Sequence, residues 1–341
     1  MANLVGMTSV EIAAAVTELG EPQYRARQIY AGVYRKLWRD WDRFTDLSKS
    51  LREKLRARFS IEYPEISQTF VSNDGTRRYL FNVGIGQRIE AVFIPEESRD
   101  TLCISTQVGC AMGCLFCATS RLPMLRNLSA GEIAGQVMAL EADRGVQAKR
   151  LNIVIMGMGE PFNNYENVMS ALRLMTCGKG MSVSPRRITL STAGVLPGIE
   201  RMALEQVQPN LAISLNASTD AVRNRLMPVN RKWNIAALLD ACRRFPLAER
   251  RRITFEYVLI DGVNDSDEDA RRLVRLLGNL RYKVNLIPLN ADPALEFKPP
   301  APERVEAFAQ TLAEHYVTAS VRRPRGEDIA AACGMLAARE S

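Results

Sequence analysis

Four of the chain's seven cysteines fall within Cys103–Cys117, the stretch CISTQVGCAMGCLFC. The last three, Cys110, Cys114 and Cys117, have C-x3-C-x2-C spacing, and Gly109 and Gly113 leave the backbone free to wrap around a bulky group. Three thiolates on one short loop read as metal ligands. A structural zinc site closes with four Cys or His ligands, yet the one histidine, His315, lies far downstream. A cubane iron-sulfur cluster has four irons, so three cysteines leave one iron open to a small chelating ligand. A zinc loop and a group of buried free thiols are the competing readings, and buried thiols have no reason to keep this spacing.

The elements that must position this loop follow from the hydrophobic period. Helical spacing runs over Val10–Glu18, Arg25–Trp38 and Lys49–Phe59, with Gly20 and Pro22 separating the first two. The period then changes to two in ISQTFV, RRYLFNV and RIEAVFI, joined at Asn73-Asp74-Gly75 and Gly84-Ile85-Gly86. From residue 101 strands and helices alternate. Strand candidates are TLCIST (101–106), LNIVIMG (151–157), RITLST (187–192), NLAISLN (210–216), RITFEYVLI (252–260) and KVNLIPL (283–289). Helix candidates cover 130–144, 163–177, 195–206, 219–226, 234–245 and 266–279, the first opening on a Ser129–Glu132 capping box. The reading is an α/β protein with a partial (βα)6 TIM-like barrel, whose reactive groups belong at the C-terminal strand ends. The expected units are a basic helical domain at 1–62, a three-stranded antiparallel linker sheet at 63–98, the barrel at 99–316 and a strand and tail at 317–341.

Hydrophobic residues make up 47% and charged residues 24% of the chain, which excludes a disordered polymer. No apolar run approaches the roughly 18 residues a membrane span needs, and the first residues lack a basic n-region and a cleavage site; the reading is cytoplasmic with no membrane contact. Clustered, odd-numbered cysteines suit a reducing compartment. Residues 22–59 hold eleven Lys/Arg against four acids, which equals the whole chain's formal net charge of +7. Interleaved with Tyr24, Tyr30, Tyr34, Trp38 and Trp41, this block suits a phosphate backbone, with aromatics that either stack on bases or pack in the domain's own core.

Three Cys at this spacing, with Phe116 before the last, resemble the radical S-adenosylmethionine (SAM) superfamily. Further segments resemble the RlmN/Cfr RNA methyltransferases: CISTQVGCAMGCLFCAT (103–119), GMGEP (157–161), RRITLSTAG (186–194), AISL (212–215), NLIPLN (285–290) and RGEDIAAACG (325–334). They run in family order from about residue 90 to the end, and the N-terminal helices fit more loosely.

The resemblance implies a 4Fe-4S cluster on Cys110, Cys114 and Cys117, and two SAM molecules per turnover. It implies that Cys333 is first methylated, that a 5'-deoxyadenosyl radical takes a hydrogen from that methyl group, and that the resulting methylene radical adds to an adenine ring carbon. Glu90 matches the base that removes a proton from the covalent protein-RNA adduct, and Cys103 matches the thiol that releases it by forming a disulfide with Cys333. Gly159, Glu160, Ser191, Ser214, Leu215, Asn216 and Asn290 match SAM contacts. Asn216 departs from the His of many relatives; an amide can hydrogen-bond but carries no charge. Cys177 and Cys242 match no motif. Arg322, Arg323 and Arg325 beside Cys333 join the basic block in favouring RNA. The implied partners are 23S rRNA, tRNA and an electron donor such as flavodoxin, with the chain acting as a monomer. Carbon 2 of adenosine is the expected target; a Cfr-type carbon-8 methyltransferase conferring antibiotic resistance and a non-catalytic iron-sulfur RNA-binding protein are the alternatives.

Overall fold

The computed structural model describes residues 1–144 and 151–338. Three helices come first: α1 (Ser9–Glu18), α2 (Tyr24–Tyr34) and α3 (Lys49–Arg58). α2 ends before its expected boundary because Leu37 takes a left-handed conformation, φ 53°, and the Trp38 N–H turns back to Gly32 O. Of the interleaved aromatics, Tyr30, Tyr34 and Trp41 are buried and only Tyr24 is well exposed. Trp38 and Trp41 pack on Phe44, while the Tyr34 hydroxyl accepts from Gly6 N (2.8 Å) and lies 2.8 Å from Met7 O. These rings hold the small domain together and leave little aromatic surface for stacking on bases.

Ten strands form one sheet whose spatial order is the chain order. β1 (Glu65–Val71), β2 (Arg77–Gly84) and β3 (Gln87–Pro95) are antiparallel, and β3 pairs antiparallel with β4 (Asp100–Cys103). Pairing is then parallel through β5 (Leu151–Ile155), β6 (Ile188–Thr192), β7 (Asn210–Ser214), β8 (Ile253–Leu259), β9 (Tyr282–Pro288) and β10 (Ala319–Val321). Among the described residues the edge strands β1 and β10 do not pair with each other, so the barrel stays open. The first three strands are no separate linker sheet: β3 offers its second edge to β4, with Val92 opposite Cys103, and the sheet continues into the barrel.

Helices α4 (Ala130–Arg144), α5 (Tyr165–Thr176), α6 (Leu196–Met202), α7 (Asp220–Leu226), α8 (Ile235–Arg244), α9 (Asp267–Leu277) and α10 (Pro302–Glu314) connect the parallel strands. The capping box that opens α4 is present: Glu132 N donates to Ser129 Oγ (3.1 Å) and Ser129 N to Glu132 Oε2 (2.8 Å). Two glycines on α4 let the N-terminal part approach closely. A Cβ on Gly131 would stand 2.3 Å from Val5 O, and one on Gly135 would stand 2.6 Å from Pro64 Cδ. One hydrophobic core consequently runs from the N-terminal helices through the barrel.

Alternation within each parallel strand separates two environments. Ile188, Leu190, Ile253, Phe255, Val284 and Leu286 are fully buried apolar residues, while the intervening Ser191 and Glu256 line an interior pocket. Above them sits Arg223 of α7, 0% exposed. It donates to Leu215 O (2.9 Å), Ala193 O (2.7 Å), Ser214 O (3.1 Å) and Asn230 Oδ1 (2.9 Å), and burial lowers its pKa to about 10. One guanidinium therefore fixes the ends of β6 and β7 together. Arg223→Met should cost about 3 kcal/mol or more in chemical denaturation, because buried carbonyls lose their donor. Arg223→Lys should recover little of this, since one ammonium cannot span these acceptors; full recovery would contradict the assignment.

Candidate active site

The cysteine loop leaves the C-terminal end of β4 and returns through a two-residue ribbon pairing Gln107–Val108 with Arg126–Asn127. Its turn is tight: Gly109 has φ 81°, and a Cβ there would lie 2.0 Å from Pro123 O. Cys117 N donates to Cys114 O (3.1 Å), and Ser120 Oγ lies 2.5 Å from Cys114 O and 2.8 Å from Cys117 O. Cys110, Cys114 and Cys117 then border one pocket at the C-terminal ends of the strands. Burial, and for Cys110 and Cys114 also the neighbouring thiols, pushes these groups up, Cys110 to about 11. Thiols so placed become thiolates only when a positive group binds them. Among the described residues no three Cys, His, Asp or Glu side chains converge on a single ion.

Gly159, Glu160, Ser191, Ser214, Asn216, Asn290 and Cys333 line the same pocket. Gly159 has φ 102°, and a Cβ would meet Gln107 Cβ at 2.6 Å. The buried Glu160 carboxylate accepts from Phe162 N (3.0 Å), Thr192 Oγ1 (2.8 Å) and Ala193 N (2.8 Å). Burial nevertheless wins over those donors and raises its pKa to about 7. Asn216 sits at φ 56°, a conformation Asn tolerates. Its Oδ1 accepts from Val258 N (2.9 Å) and its Nδ2 lies 3.3 Å from Met227 Sδ, so the amide braces the corner between β7 and β8. Leu215 is placed otherwise: its side chain is in the core, its N–H donates to Glu256 O and its carbonyl accepts from Arg223.

Cys333 is exposed and Cys103 half-buried, and both are free thiols, so no disulfide joins them. Burial raises Cys103 to about 12, the nearby Cys333 adds to this, and Arg322 opposes it. Arg322 is not presented outward to RNA: its Nη1 lies 3.7 Å from Cys333 Sγ and its Nη2 4.0 Å from Met156 Sδ. Asn290 Nδ2 donates to Cys333 O at 2.9 Å. Glu90 does not line the pocket. It is fully buried, paired with Arg78, and its Oε2 accepts from Ala337 N at 3.0 Å. Burial raises its pKa, with Arg78 the main opposing influence. Of the two unmatched thiols, Cys242 is a core residue of α8 and Cys177 packs at the core's edge.

The sequence reading missed Glu256. Its Oε2 accepts from Ser191 Oγ at 2.9 Å, while its Oε1, buried and facing the pocket wall, has no partner, as is true of Asn290 Oδ1. Glu256 lies in no segment matched to a motif; the signal available was an acid between Phe255 and Tyr257 in the strand run RITFEYVLI.

The Radical SAM superfamily pattern matches residues 104–274, and the ribosomal RNA large subunit methyltransferase N-terminal domain matches residues 2–61. The dual-specificity RNA methyltransferase RlmN 2 of Myxococcus xanthus is 50% identical over 99% of this chain and 92% of its own length. RlmN of Syntrophotalea carbinolica is 49% identical over 98% of this chain and 89% of its own length. A radical SAM methyltransferase of Sphaerobacter thermophilus superposes with a TM-score of 0.94 at 46% identity, covering 99% of this chain and 100% of that one. The chain belongs to the RlmN family of radical SAM methyltransferases.

As an RlmN-family enzyme it uses a 4Fe-4S cluster and SAM to methylate RNA, and the curated relatives do not favour the Cfr alternative. The residues present fit those cofactors. Three thiols border the pocket, the cradle at Gly159 admits no Cβ, and two buried oxygens there lack donors. No described helix is long and apolar enough to cross a membrane. A positively charged ligand bound beside Glu160, as the sulfonium of SAM would be, would favour its ionised form. SAM binding should therefore release a proton and tighten as pH rises from about 6 to about 8. Calorimetry in buffers of different ionisation enthalpy measures that proton. Glu160→Gln should bind more weakly and release less proton than the parent; unchanged proton release would count against Glu160 as a SAM contact.

Proposed function

We propose that this RlmN-family enzyme methylates carbon 2 of adenosine in 23S rRNA and in tRNA, with Cys333 as methyl carrier and Cys103 as the thiol that releases the product. The observation that carries this reading is the placement of Cys333. Its segment runs along the rim of the pocket that the three cluster cysteines border, and its sulfur shares the Arg322 guanidinium with Cys103.

The bound cofactors supply an electron, a methyl group and a radical. The residues do the rest. Cys110, Cys114 and Cys117 hold the cluster; Gly159, Glu160, Ser191, Ser214, Leu215, Asn216 and Asn290 hold SAM, Leu215 through the backbone corner that it shares with Arg223. Cys333 carries the methyl group to the base, Glu90 takes the proton from the adduct, and Cys103 attacks the Cys333 sulfur. With Glu90 paired to Arg78 and covered by Ala337, its service as a base requires the end of the chain to shift when RNA enters. The basic N-terminal helices bind the phosphate backbone. A flavodoxin-like protein donates the electron, and the chain works as a monomer in the cytoplasm.

Mass spectrometry of rRNA and tRNA fragments after reaction should show a methyl group on carbon 2 of the target adenosine; methylation of carbon 8 would overturn the assignment. Cys333→Ala should give no turnover, and Cys103→Ala should accumulate a covalent protein-RNA adduct visible as a shifted band on a denaturing gel. Full activity of Cys333→Ala would favour a non-catalytic role for that cysteine.

A further inference from the structure

The segment from Gly326 to Ala337 has almost no regular structure, yet it is held on both sides of Cys333. Downstream, Ala118 N donates to Gly334 O (2.7 Å), Thr119 Oγ1 to Leu336 O (2.6 Å) and Ala337 N to Glu90 Oε2 (3.0 Å). Upstream, the hold comes from an unexpected element, the turn between β1 and β2. Ser72 Oγ donates to Asp328 Oδ1 (2.6 Å) and Asn73 N to Asp328 Oδ2 (3.2 Å). In return Gly326 N donates to Asp74 Oδ2 (3.1 Å), and Arg325 Nη1 lies 3.7 Å from the same oxygen. Asp74 Oδ1 is itself fixed by Thr76 N at 2.8 Å.

The two carboxylates thus cross between turn and tail in opposite directions. Each is a charged acceptor of backbone N–H groups, the stronger class of hydrogen bond. Burial pushes Asp74 up, but bonds from Thr76, Gly326 and Ser72 outweigh it and hold the group near 2. Bonds from Ser72 and Asn73 likewise lower Asp328. The approach is close. Gly326 has φ 63°, and a Cβ there would lie 2.8 Å from Ala331 Cβ and 2.9 Å from Thr76 Cγ2.

We propose that Asp74 and Asp328 are positioning residues for methyl transfer, a clasp by which the β1–β2 turn keeps the Cys333 sulfur at the pocket rim. The inference rests on the reading of Cys333 as methyl acceptor. In that step the Cys333 thiol gives its proton to solvent and its sulfur bonds to the methyl carbon. The carbon–sulfonium bond of SAM breaks, and its electron pair stays with the departing thioether. Transfer requires the sulfur in line with that bond, and small displacements are costly in rate.

The test uses the anaerobic holoenzyme and three readouts. Methyl uptake at Cys333 is followed by mass spectrometry of the tryptic peptide that starts at Gly326. Cleavage after Arg325 in the folded protein reports local release; Arg323 precedes Pro324 and is not cut. SAM affinity and thermal stability report the rest of the molecule. Asp328→Asn and Ser72→Ala should methylate Cys333 about tenfold more slowly and be cut faster after Arg325, with SAM affinity and melting temperature near those of the parent. Ser72→Thr, which keeps the hydroxyl, should behave as the parent does. Unchanged methylation and cleavage would overturn the clasp, as would a parallel loss of melting temperature and SAM affinity, which marks a purely structural role. If Cys333→Ala still methylates RNA, the underlying reading of Cys333 fails instead, and the two failures are told apart by that variant alone.

Discussion

The bonds that Arg223 makes to the ends of β6 and β7 are what the pocket depends on. A parallel strand that stops at a pocket leaves carbonyl and N–H groups without ladder partners, and buried ones must find others. Here side chains supply them, each joining a strand end to its neighbour. Glu160, after β5, accepts from Thr192 Oγ1 at the end of β6 and from Ala193 N just beyond it. Arg223 joins β6 to β7. Asn264 Nδ2 donates to Asn216 O (2.8 Å) after β7 and to Val258 O (2.7 Å) in β8. A lateral row of polar side chains thus completes the open barrel where its backbone ladder ends, and the pocket residues inherit their positions from that row.

The same walls carry an excess of acid. Glu160, Glu256 and three thiols face one space, and the cation built most deeply into its surround, Arg223, is committed to backbone oxygens. Burial makes the charged forms of Glu160 and the three thiols costly until something positive arrives. The iron of a cluster and the sulfonium of SAM would be such groups. Binding and charge neutralisation are therefore one event in this pocket, and its electrostatics are complete only in the loaded enzyme.

Much of this was legible in the residues. The C-x3-C-x2-C spacing places its thiols through local loop geometry alone, and the strand and helix periods fix which face of the barrel the loop serves. The capping box of α4 was equally readable because both partners lie three residues apart. Arg223 was not, since an arginine in a short amphipathic helix carries no local mark that distinguishes it from a solvated one. Glu256 was hidden for the same reason. The Arg78 partner of Glu90 lies on the neighbouring strand, and the pairing depends on strand register. The aromatic-basic block left packing and stacking open, because a ring that packs in a three-helix core and a ring that stacks on a base have the same composition.

The C-terminal segment shows what happens where neither period operates. Its buried residues are chiefly small, Ala331, Ala332 and Ala337 with Leu336, and small side chains bury little apolar area. Its backbone is also strained: Ala330 and Ala338 hold φ 53° and 54°, a region in which an alanine costs about 1–2 kcal/mol relative to its ordinary conformations. Weak burial and strain together would leave such a chain mobile. It keeps one course because hydrogen bonds reach it from the β1–β2 turn, the cysteine loop, Asn290 and Glu90. A segment held by a few polar bonds rather than by packing can be displaced piecewise at modest cost. That is the mechanical property a cysteine needs if it must take a methyl group at one position and deliver it at another.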